Sequence, residues 1–341
     1  NSLLLIAADC AERLGETAAE ERIVALLERI AGETADPDER GSALLRVAGR
    51  QRRQGRIAAA EESFAAAATA FGLAGSERDW AIARGGIADI LQARGELDEA
   101  LRILADEVLS AFDHLGDVRS KAVTQGQIAD ILQARGELDE ALRIRVEEEL
   151  PVYARLGDVR EKALTQGRIA DILQARGELD EALRIRVEEE LPVYERLGDV
   201  RSKAVTQGNI AGALQARGQF AQALALHEER LPVAERMRDI EGIAHIKYST
   251  AMLRLQLGQH TSGGLQRIYD DLAESFALSR QLGRPDFIGG VGQRLAQVLA
   301  LAGEREWALE VLTLAEQAFV KIKDADGLAQ VRELRGEIGG S

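Results

Sequence analysis

The fold is decided by residues 117–157, which read DVRSKAVTQGQIADILQARGELDEALRIRVEEELPVYARLG, and by residues 158–198, which read DVREKALTQGRIADILQARGELDEALRIRVEEELPVYERLG. The second stretch copies the first over 41 residues. A fixed period predicts a repeat architecture, in which each unit buries its apolar surface against its neighbours. The two copies differ only at Ser120/Glu161, Val123/Leu164, Gln127/Arg168 and Ala154/Glu195.

Each repeat reads as two helices joined by a turn. The first helix follows Asp117, a good N-cap residue, and ends at Gly136, a residue typical of helix C-termini. The second helix begins near Leu138 and stops at Gly157. Its apolar residues recur every three or four positions, so we expect one buried stripe. The stripe comprises Leu138, Leu142, Val146, Leu150, Tyr153 and Leu156.

The turn carries a resemblance to a known family. Residues 136–142, GELDEAL, look like the turn and second-helix start of a tetratricopeptide repeat, and Ala129 and Ala141 stand where that family has small residues. The family period is 34 residues, so this chain is similar to the long-helix variety of about 40 residues. That variety occurs in kinesin light chains and in the sensor arrays of bacterial STAND signalling ATPases. Gln125 stands near the place of the usual first-helix aromatic residue.

The turn glycine recurs along the chain and numbers the repeats. Successive glycines are 40, 40, 41, 41, 41, 40 and 45 residues apart. We therefore expect an all-α chain of about eight helix-turn-helix repeats plus a C-terminal capping helix over about residues 326–337. The resemblance implies that they form a right-handed superhelical solenoid. The glycines of repeats 1 to 8 are Gly15, Gly55, Gly95, Gly136, Gly177, Gly218, Gly258 and Gly303.

We expect a single solenoid over residues 1–341, with regularity that varies along it. Residues 1–75 form diverged repeats, residues 76–239 form regular repeats of 40 or 41 residues, and residues 240–341 form diverged repeats and the capping helix. The stretch HTSGG at residues 260–264 should lengthen the hairpin loop of repeat 7.

Prolines inside second helices mark an irregularity. Pro151 and Pro192 each remove a backbone N–H and crowd the carbonyl four residues earlier, at a cost of about 3 kcal/mol in a helix interior. The 41-residue repeats also carry one extra residue in this helix. The combination predicts a π-bulge or a kink. Pro232 lies in a 40-residue repeat, where we expect a plain kink. A role in setting solenoid shape is favoured over a hinge.

Further patterns recur in the repeats. Each glycine within a first helix costs about 1 kcal/mol of helix stability relative to alanine. Its recurrence indicates that something packs closely there, and we expect an adjacent first helix rather than a ligand. The run Glu147–Glu149 is predicted to be a solvated outer face. An arginine cluster over residues 46–56 is expected to be exposed helix surface, with an acidic partner or phosphate as the alternative. The recurring glycines are Gly85, Gly126, Gly167 and Gly208.

In the tetratricopeptide family the first helices line a concave groove, so the resemblance implies a ligand track along them. The track would run from basic residues, through a ladder of Asp and Gln, to an apolar end. This order suits a peptide, because polar groups can bind its backbone and an apolar pocket can anchor it. Recent duplication could equally preserve these side chains as solvated groups or as bridges between helices. The candidate ligand-binding residues are Arg46, Arg52, Asp89, Gln92, Gln127, Asp130, Gln133, Arg168, Asp171, Gln174, Asn209, Gln215, Tyr248 and Met252.

Composition and charge argue against several functional classes. The chain has 43 Lys and Arg against 57 Asp and Glu, a net charge of −14, which disfavours nucleic acid as a partner. No apolar run is long enough to span a bilayer, so we expect no membrane partner. Cys10 is the only cysteine, which allows no internal disulfide and fits a reducing, cytoplasmic setting. The chain begins with Asn1 rather than Met, so we expect it to be a piece of a longer protein.

Catalytic chemistry has little support in the sequence. The histidines lack metal-ligand spacing with a carboxylate or a cysteine. No glycine-rich phosphate loop follows a strand, and no serine sits in a strand-turn-helix elbow. We therefore expect no enzyme, no metal and no cofactor. The histidines are His114, His227, His245 and His260.

The sequence predicts a binding domain for a protein or peptide ligand. The resemblance implies the ligand-sensing or scaffold part of a larger bacterial signalling protein. The alternatives are a scaffold without switching, a regulator that binds a short signal peptide, and an accessory recognition domain of a protease or nuclease. Near-identical neighbouring repeats also permit a domain-swapped or other homo-oligomer.

Overall fold

The computed structural model describes residues 17–259 and 261–340, and every regular element in these ranges is a helix. The chain divides into two compact units between Arg176 and Gly177. The division falls inside repeat 5, whose first helix belongs to the first unit and whose second helix belongs to the second. Gly15, the predicted turn glycine of repeat 1, lies outside the described residues.

The first unit follows the predicted order of helix pairs. Its helices start where polar caps were expected: Asp117 accepts a hydrogen bond from the Ser120 backbone N–H at 3.0 Å, and Asp158 accepts one from Glu161 at 3.1 Å. Such caps satisfy backbone donors that a helix start leaves free. The α-helices are Thr17–Glu33, Pro37–Arg53, Ile57–Ala74, Glu77–Arg94, Leu97–Arg102, Leu109–His114, Val118–Ala134, Leu138–Arg143, Leu150–Leu156 and Val159–Ala175, and the π-helices are Ile103–Val108 and Ile144–Glu149.

The second unit continues the alternation and ends in the predicted capping helix. The expected loop extension in repeat 7 is only partly right: Gly263 and Gly264 already belong to the next helix, which begins after its N-cap residue Thr261, and His260 lies outside the described residues. That helix is 21 residues long and takes up the rest of the insertion. The α-helices are Leu179–Arg184, Leu191–Leu197, Val200–Ala216, Phe220–Met237, Ile240–Gln256, Ser262–Leu282, Pro285–Leu301, Arg305–Ile322 and Ala325–Gly340, and the π-helix is Ile185–Glu190.

The turn glycines adopt the conformation that their spacing predicted. Gly136 has φ +81° and Gly177 has φ +83°, a left-handed region that side-chain-bearing residues rarely enter. The predicted turn glycines of repeats 2, 3, 6, 7 and 8 are left-handed as well. Helix pairs therefore turn back on themselves at the predicted places, and a substitution at these glycines would strain the turn.

Small side chains hold the paired helices close together. Ala129 and Ala141, the small residues of the resemblance, are both fully buried in the first unit. Ile131 and Leu104 pack in the same core cluster. Burying a side chain of this size stabilises a fold by about 1.5–3 kcal/mol. The second unit repeats the arrangement with Ala308 and its neighbours.

The extra residue of the 41-residue repeats forms a π-helical turn in repeats 3, 4 and 5. In repeat 4, the Leu150 N–H donates to the carbonyl of Arg145, five residues earlier. The predicted π-bulge is confirmed. Repeat 3 has it without any proline, whereas repeat 6 contains Pro232 and remains one α-helix, Phe220–Met237. Chain length, rather than proline, therefore decides where the helix widens.

The π-turn makes the predicted stripe wrong at two of its positions. Val146 is 44 % exposed and Leu156 is 50 % exposed, although both were assigned to the buried stripe. The positions that face the core are Ile144, Val152 and Tyr153. A π-turn shifts the helical phase, so a stripe extrapolated at α-helical spacing misplaces Val146 and Leu156, whereas Tyr153 is buried as predicted.

Candidate binding groove on the first helices

A cleft of about 420 Å³ opens on the first helices of repeats 2, 3 and 4 in the first unit. In repeat 3 it is lined by Arg78, Ile82, Gly85 and Asp89. These residues are four, three and four positions apart, so they share one helix face. We call this cleft, with the corresponding residues of repeat 4, the first-helix groove. Arg52, Arg119, Val123 and Gln127 also line it.

Asp89 joins three successive first helices along one edge of the first-helix groove. Its Oδ2 accepts a hydrogen bond from Arg52 Nη1 at 2.6 Å, and its Oδ1 accepts one from Gln127 Nε2 at 2.8 Å. The structure thus brings together three of the predicted ligand-binding residues. The carboxylate bridges neighbouring repeats. This is one of the two roles other than ligand binding that the sequence allowed for these side chains.

The opposite edge is made by arginines that reach the N-cap of the next repeat. Arg78 Nε donates to Asp117 Oδ2 at 3.0 Å, and Arg119 Nη1 lies 2.8 Å from Asp158 Oδ2. The hydrogen bond from the Ser120 backbone N–H lowers the pKa of Asp117, and Arg78 lowers it further. The Glu161 backbone N–H lowers the pKa of Asp158 in the same way. Both caps are therefore charged at neutral pH.

The centre of the first-helix groove is apolar. Ile82 is 37 % exposed and Val123 is 46 % exposed, which leaves two aliphatic side chains facing the opening. Phe64 and Phe112 close the floor as buried side chains. No atom outside its own helix backbone and chain neighbours lies within 4 Å of the point where a Gly85 Cβ would stand, so the cleft is open at this residue.

The remaining predicted residues of the first unit lie apart from this cleft. Asp130 accepts a hydrogen bond from Arg145 of its own second helix rather than facing a free groove. Arg168 is exposed and Asp171 is partly buried. The others, all partly buried, are Arg46, Gln92, Gln133 and Gln174.

The second unit contains the residues predicted for the apolar end of the ligand track. Tyr248 and Met252 are partly buried, and Tyr248 packs against the local core. An apolar cleft of about 470 Å³ lies nearby, lined by Leu255, Leu265, Leu301 and others. Asn209 is partly buried and Gln215 is exposed. Tyr248 and Met252, the residues predicted for the apolar end, are not among the residues that line this cleft.

Beneath the first-helix face of repeat 4 lies a buried ion pair. Arg145 and Glu149 are 3 % and 5 % exposed, and Arg145 Nη1 donates to Glu149 Oε2 at 2.6 Å. Thr165 Oγ1, on the first helix of repeat 5, donates to Glu149 Oε1 at 3.1 Å. Burial raises the pKa of Glu149, against the opposing effects of Arg145 and Thr165.

The run Glu147–Glu149 is thus not a solvated outer face, contrary to the sequence expectation. Glu147 is exposed, but Glu148 accepts from Gln125 and Glu149 is buried. The reason is again the π-turn, which rotates the end of the run into the interface.

The recurring glycine of repeat 4 makes room for this pair. A Cβ on Gly126 would lie 2.9 Å from Glu149 Oε1 and 3.0 Å from Arg145 Nη1. Close packing was predicted correctly for Gly126, but its closest neighbour is the charged pair of the second helix and not an adjacent first helix. For Gly85 the prediction is wrong, because no atom of another helix lies within 4 Å of its Cβ position.

Comparison with known proteins identifies the repeat. The sequence model described as tetratricopeptide repeat matches residues 161–236. Residues 161–236 carry tetratricopeptide repeats. No curated protein matches the sequence.

Solved structures share the tetratricopeptide fold at low sequence identity. A STAND protein with a tetratricopeptide repeat sensor from Pyrococcus horikoshii is 15 % identical, with a TM-score of 0.70 over 98 % of this chain and 50 % of that chain. The apo form of the quorum sensor NprR from B. thuringiensis is 13 % identical, with a TM-score of 0.63 over 93 % of this chain and 86 % of that chain. A Rap protein complexed with competence and sporulation factor is 12 % identical, with a TM-score of 0.56 over 93 % and 80 %. These likenesses show the fold alone.

Two features are not found in the described residues, a metal site and a membrane-spanning helix. Within residues 17–259 and 261–340, no group of three or more His, Cys, Asp or Glu side chains could hold a metal ion. No helix in that part of the chain is long and apolar enough to cross a membrane.

Proposed function

We propose that this chain binds a protein or peptide segment in the first-helix groove of repeats 2 to 4. The observation that carries the proposal is the open cleft beside Gly85, where polar edges flank an apolar centre. Pockets that recognise peptides combine an apolar anchor site with a few fixed polar groups. A ligand would place an aliphatic or aromatic side chain between Ile82 and Val123.

The edges of the groove favour a polypeptide over other ligands. Asp89 offers carboxylate oxygens and Gln127 offers a side-chain amide, while Arg78 and Arg119 supply cations that suit acidic residues. Each of these charged groups already has a partner, so the edges are fixed before binding. A groove with fixed side chains loses less conformational entropy when it binds.

The ligand-sensing role within a larger signalling protein is part of the same proposal. Its support is the fold likeness to a STAND protein with a repeat sensor and to the quorum sensor NprR. The Rap protein was crystallised with competence and sporulation factor. A short signal peptide is the next candidate ligand for this chain. We place this function in the cytoplasm, which Cys10 as the single cysteine supports.

A Gly85→Leu substitution tests the groove. The side chain would fill the open cleft without striking a neighbour, and it would favour the helix over glycine. The matched control is Gly32→Leu, a helical glycine with equally open surroundings outside the groove. Peptides would be selected from a displayed random library with the 341-residue chain as bait.

We expect the selected peptides to bind Gly85→Leu more weakly by about tenfold or more, as for a blocked anchor pocket. Binding to Gly32→Leu should be unchanged. Equal affinity of all three proteins, or no peptide enriched by the chain, would contradict the proposal. A scaffold without switching would bind the peptide yet leave the activity of the longer protein unaltered.

A further inference from the structure

Repeat 6 places a cation where repeats 4 and 5 bury an acid. Glu149, Glu190 and Arg230 each stand directly before a Leu-Pro dipeptide in a second helix. In the second unit, Glu190 is 5 % exposed, lies 3.1 Å from Arg186 Nη1 and accepts from Thr206 at 2.8 Å. Arg230 is 9 % exposed and is likewise an interior residue. The charge at this position is therefore reversed in repeat 6.

The Arg230 guanidinium makes no ion pair or hydrogen bond with a carboxylate among the described residues of its unit; Asp239 attracts it only without direct contact. Its one polar contact there is with a histidine, since Nη1 lies 3.2 Å from His227 Nδ1, and its buried Nε has no hydrogen-bond partner. Burial lowers the pKa of Arg230, as expected for a cation removed from water. By contrast, the nearby buried Arg254 donates to both Asp271 and Glu228. Burying a charge without a paired counterion costs folding free energy. An anion that binds from solution would lower this cost for Arg230.

The guanidinium reaches the first-helix face of repeat 6. A Cβ on Gly208 would lie 2.8 Å from Arg230 Nη2, so the cation lies directly against the helix that would contact a ligand. His245, on the next first helix, is exposed, and its ring centroid is 6.4 Å from that of His227. His245 occupies the repeat position that Ile82 holds in the first-helix groove. An anion would therefore approach Arg230 from a first-helix surface, the kind of surface that carries the first-helix groove in repeats 2 to 4.

We propose that Arg230 is an oxyanion site, which takes a carboxylate or phosphate group on the Nε and Nη2 edge of its guanidinium. This edge is the fork that binds two oxygens at once. His227 holds the opposite nitrogen and fixes the plane of the group. The site belongs to the second unit, so it goes beyond the proposed groove of repeats 2 to 4 and does not depend on it.

The test uses NMR of arginine Nε–Hε groups in the full 341-residue chain. A buried Nε–H exchanges slowly and gives its own signal, which Arg230→Met would assign by deleting it. Acetate, inorganic phosphate and chloride would be titrated separately at constant ionic strength. We expect the Arg230 signal to shift saturably with acetate or phosphate and not with chloride. The anion that binds more tightly indicates whether the natural group is a carboxylate or a phosphate.

Two further variants separate a built site from surface charge. The double variant His227→Arg with Arg230→Glu copies the Arg186–Glu190 order of repeat 5 and supplies an internal counterion. It should weaken anion binding by about tenfold or more, the loss expected for a charge-assisted hydrogen bond. Arg236→Gln removes an exposed cation from the same helix and should leave binding unchanged. A signal that never saturates in the unaltered chain would overturn the proposal, whatever the variants do.

Discussion

Repeats 3 and 4 have the same order of α-helix and π-turn but bury different side chains in the π-turn, apolar in repeat 3 and charged in repeat 4. Both contain a π-turn in the second helix, at Ile103–Val108 and Ile144–Glu149. Repeat 3 packs Leu104 and Val108 inside this turn at 1 % and 2 % exposure, where repeat 4 buries Arg145 and Glu149. The same fold thus accepts an apolar pair or an ion pair. The difference shows that the π-turn forms without the ion pair. The role of the ion pair must therefore lie in the other residues that Arg145 and Glu149 contact.

The buried pair of repeat 4 is distinguished by what it connects. Glu149 is bonded to Thr165 of the next repeat, and Arg145 is bonded to Asp130 on the first helix. An apolar pair cannot make these directed contacts. We infer that the pair fixes the register between neighbouring repeats rather than adding stability, because buried ion pairs often contribute little net free energy.

Breaking the pair from one side should have the largest effect. Glu149→Ala leaves Arg145 buried with only the half-exposed Asp130 as an acid partner. We expect the free energy of unfolding to fall by about 3 kcal/mol, the lower end for a broken buried pair. Urea denaturation followed by helical circular dichroism would measure it.

The matched control copies repeat 3 into repeat 4. Arg145→Leu combined with Glu149→Val replaces the ion pair with the apolar pair of Leu104 and Val108. Its free energy of unfolding should stay within about 1 kcal/mol of the unaltered chain or rise above it. If the double variant were as unstable as Glu149→Ala, the two repeats would not be interchangeable and the comparison would fail.

Repeat 6 extends the comparison to a buried histidine. Burial lowers the pKa of His227 to about 4 from 6.5, with further lowering by Arg230 and His245. The folded state therefore keeps His227 neutral, while the unfolded chain takes up a proton below pH 6.5. Stability from this group is complete above pH 6.5 and is lost as the pH falls towards 4. The loss should reach about 3 kcal/mol.

The measurement is the pH dependence of urea denaturation, compared with His227→Leu. Leucine is the residue of repeat 3 at this position, Leu104, so it should fit the packing. Carboxylates titrate in the same range in both proteins, and the difference between the two curves isolates His227. Parallel curves between pH 4 and pH 6.5 would show that His227 does not carry the dependence.

Sequence reasoning reached the architecture because glycine spacing and helix caps are local. Gly136 adopts a left-handed φ and Asp117 caps a helix, and both preferences depend on neighbouring residues alone, so the repeat boundaries were predictable. The π-turn was also predictable from one extra residue. Its consequence was missed, because a phase shift after Ile144 moves Glu149 inward and Val146 outward.

The candidate site was predicted in outline for the same reason. Asp89, Arg52 and Gln127 were expected on the first helices and do meet there. Their role as ligand contacts stays a prediction. The buried cation Arg230 was not found, because its significance depends on the missing counterion, which only the packing reveals. The available signal was the exchange of Glu for Arg before the Leu-Pro pair.

The smallest expected effect separates the two settings of proline. Pro232 lies inside a continuous α-helix, whereas Pro151 lies in the first turn of the α-helix that follows a π-turn. A proline in a first turn sacrifices little, but one in an interior removes a hydrogen bond and crowds a carbonyl. We expect Pro232→Ala to raise the free energy of unfolding by about 1 kcal/mol or more, and Pro151→Ala to change it by less than about 0.5 kcal/mol. Equal gains from both substitutions in urea denaturation would mean that the π-turn does not accommodate proline.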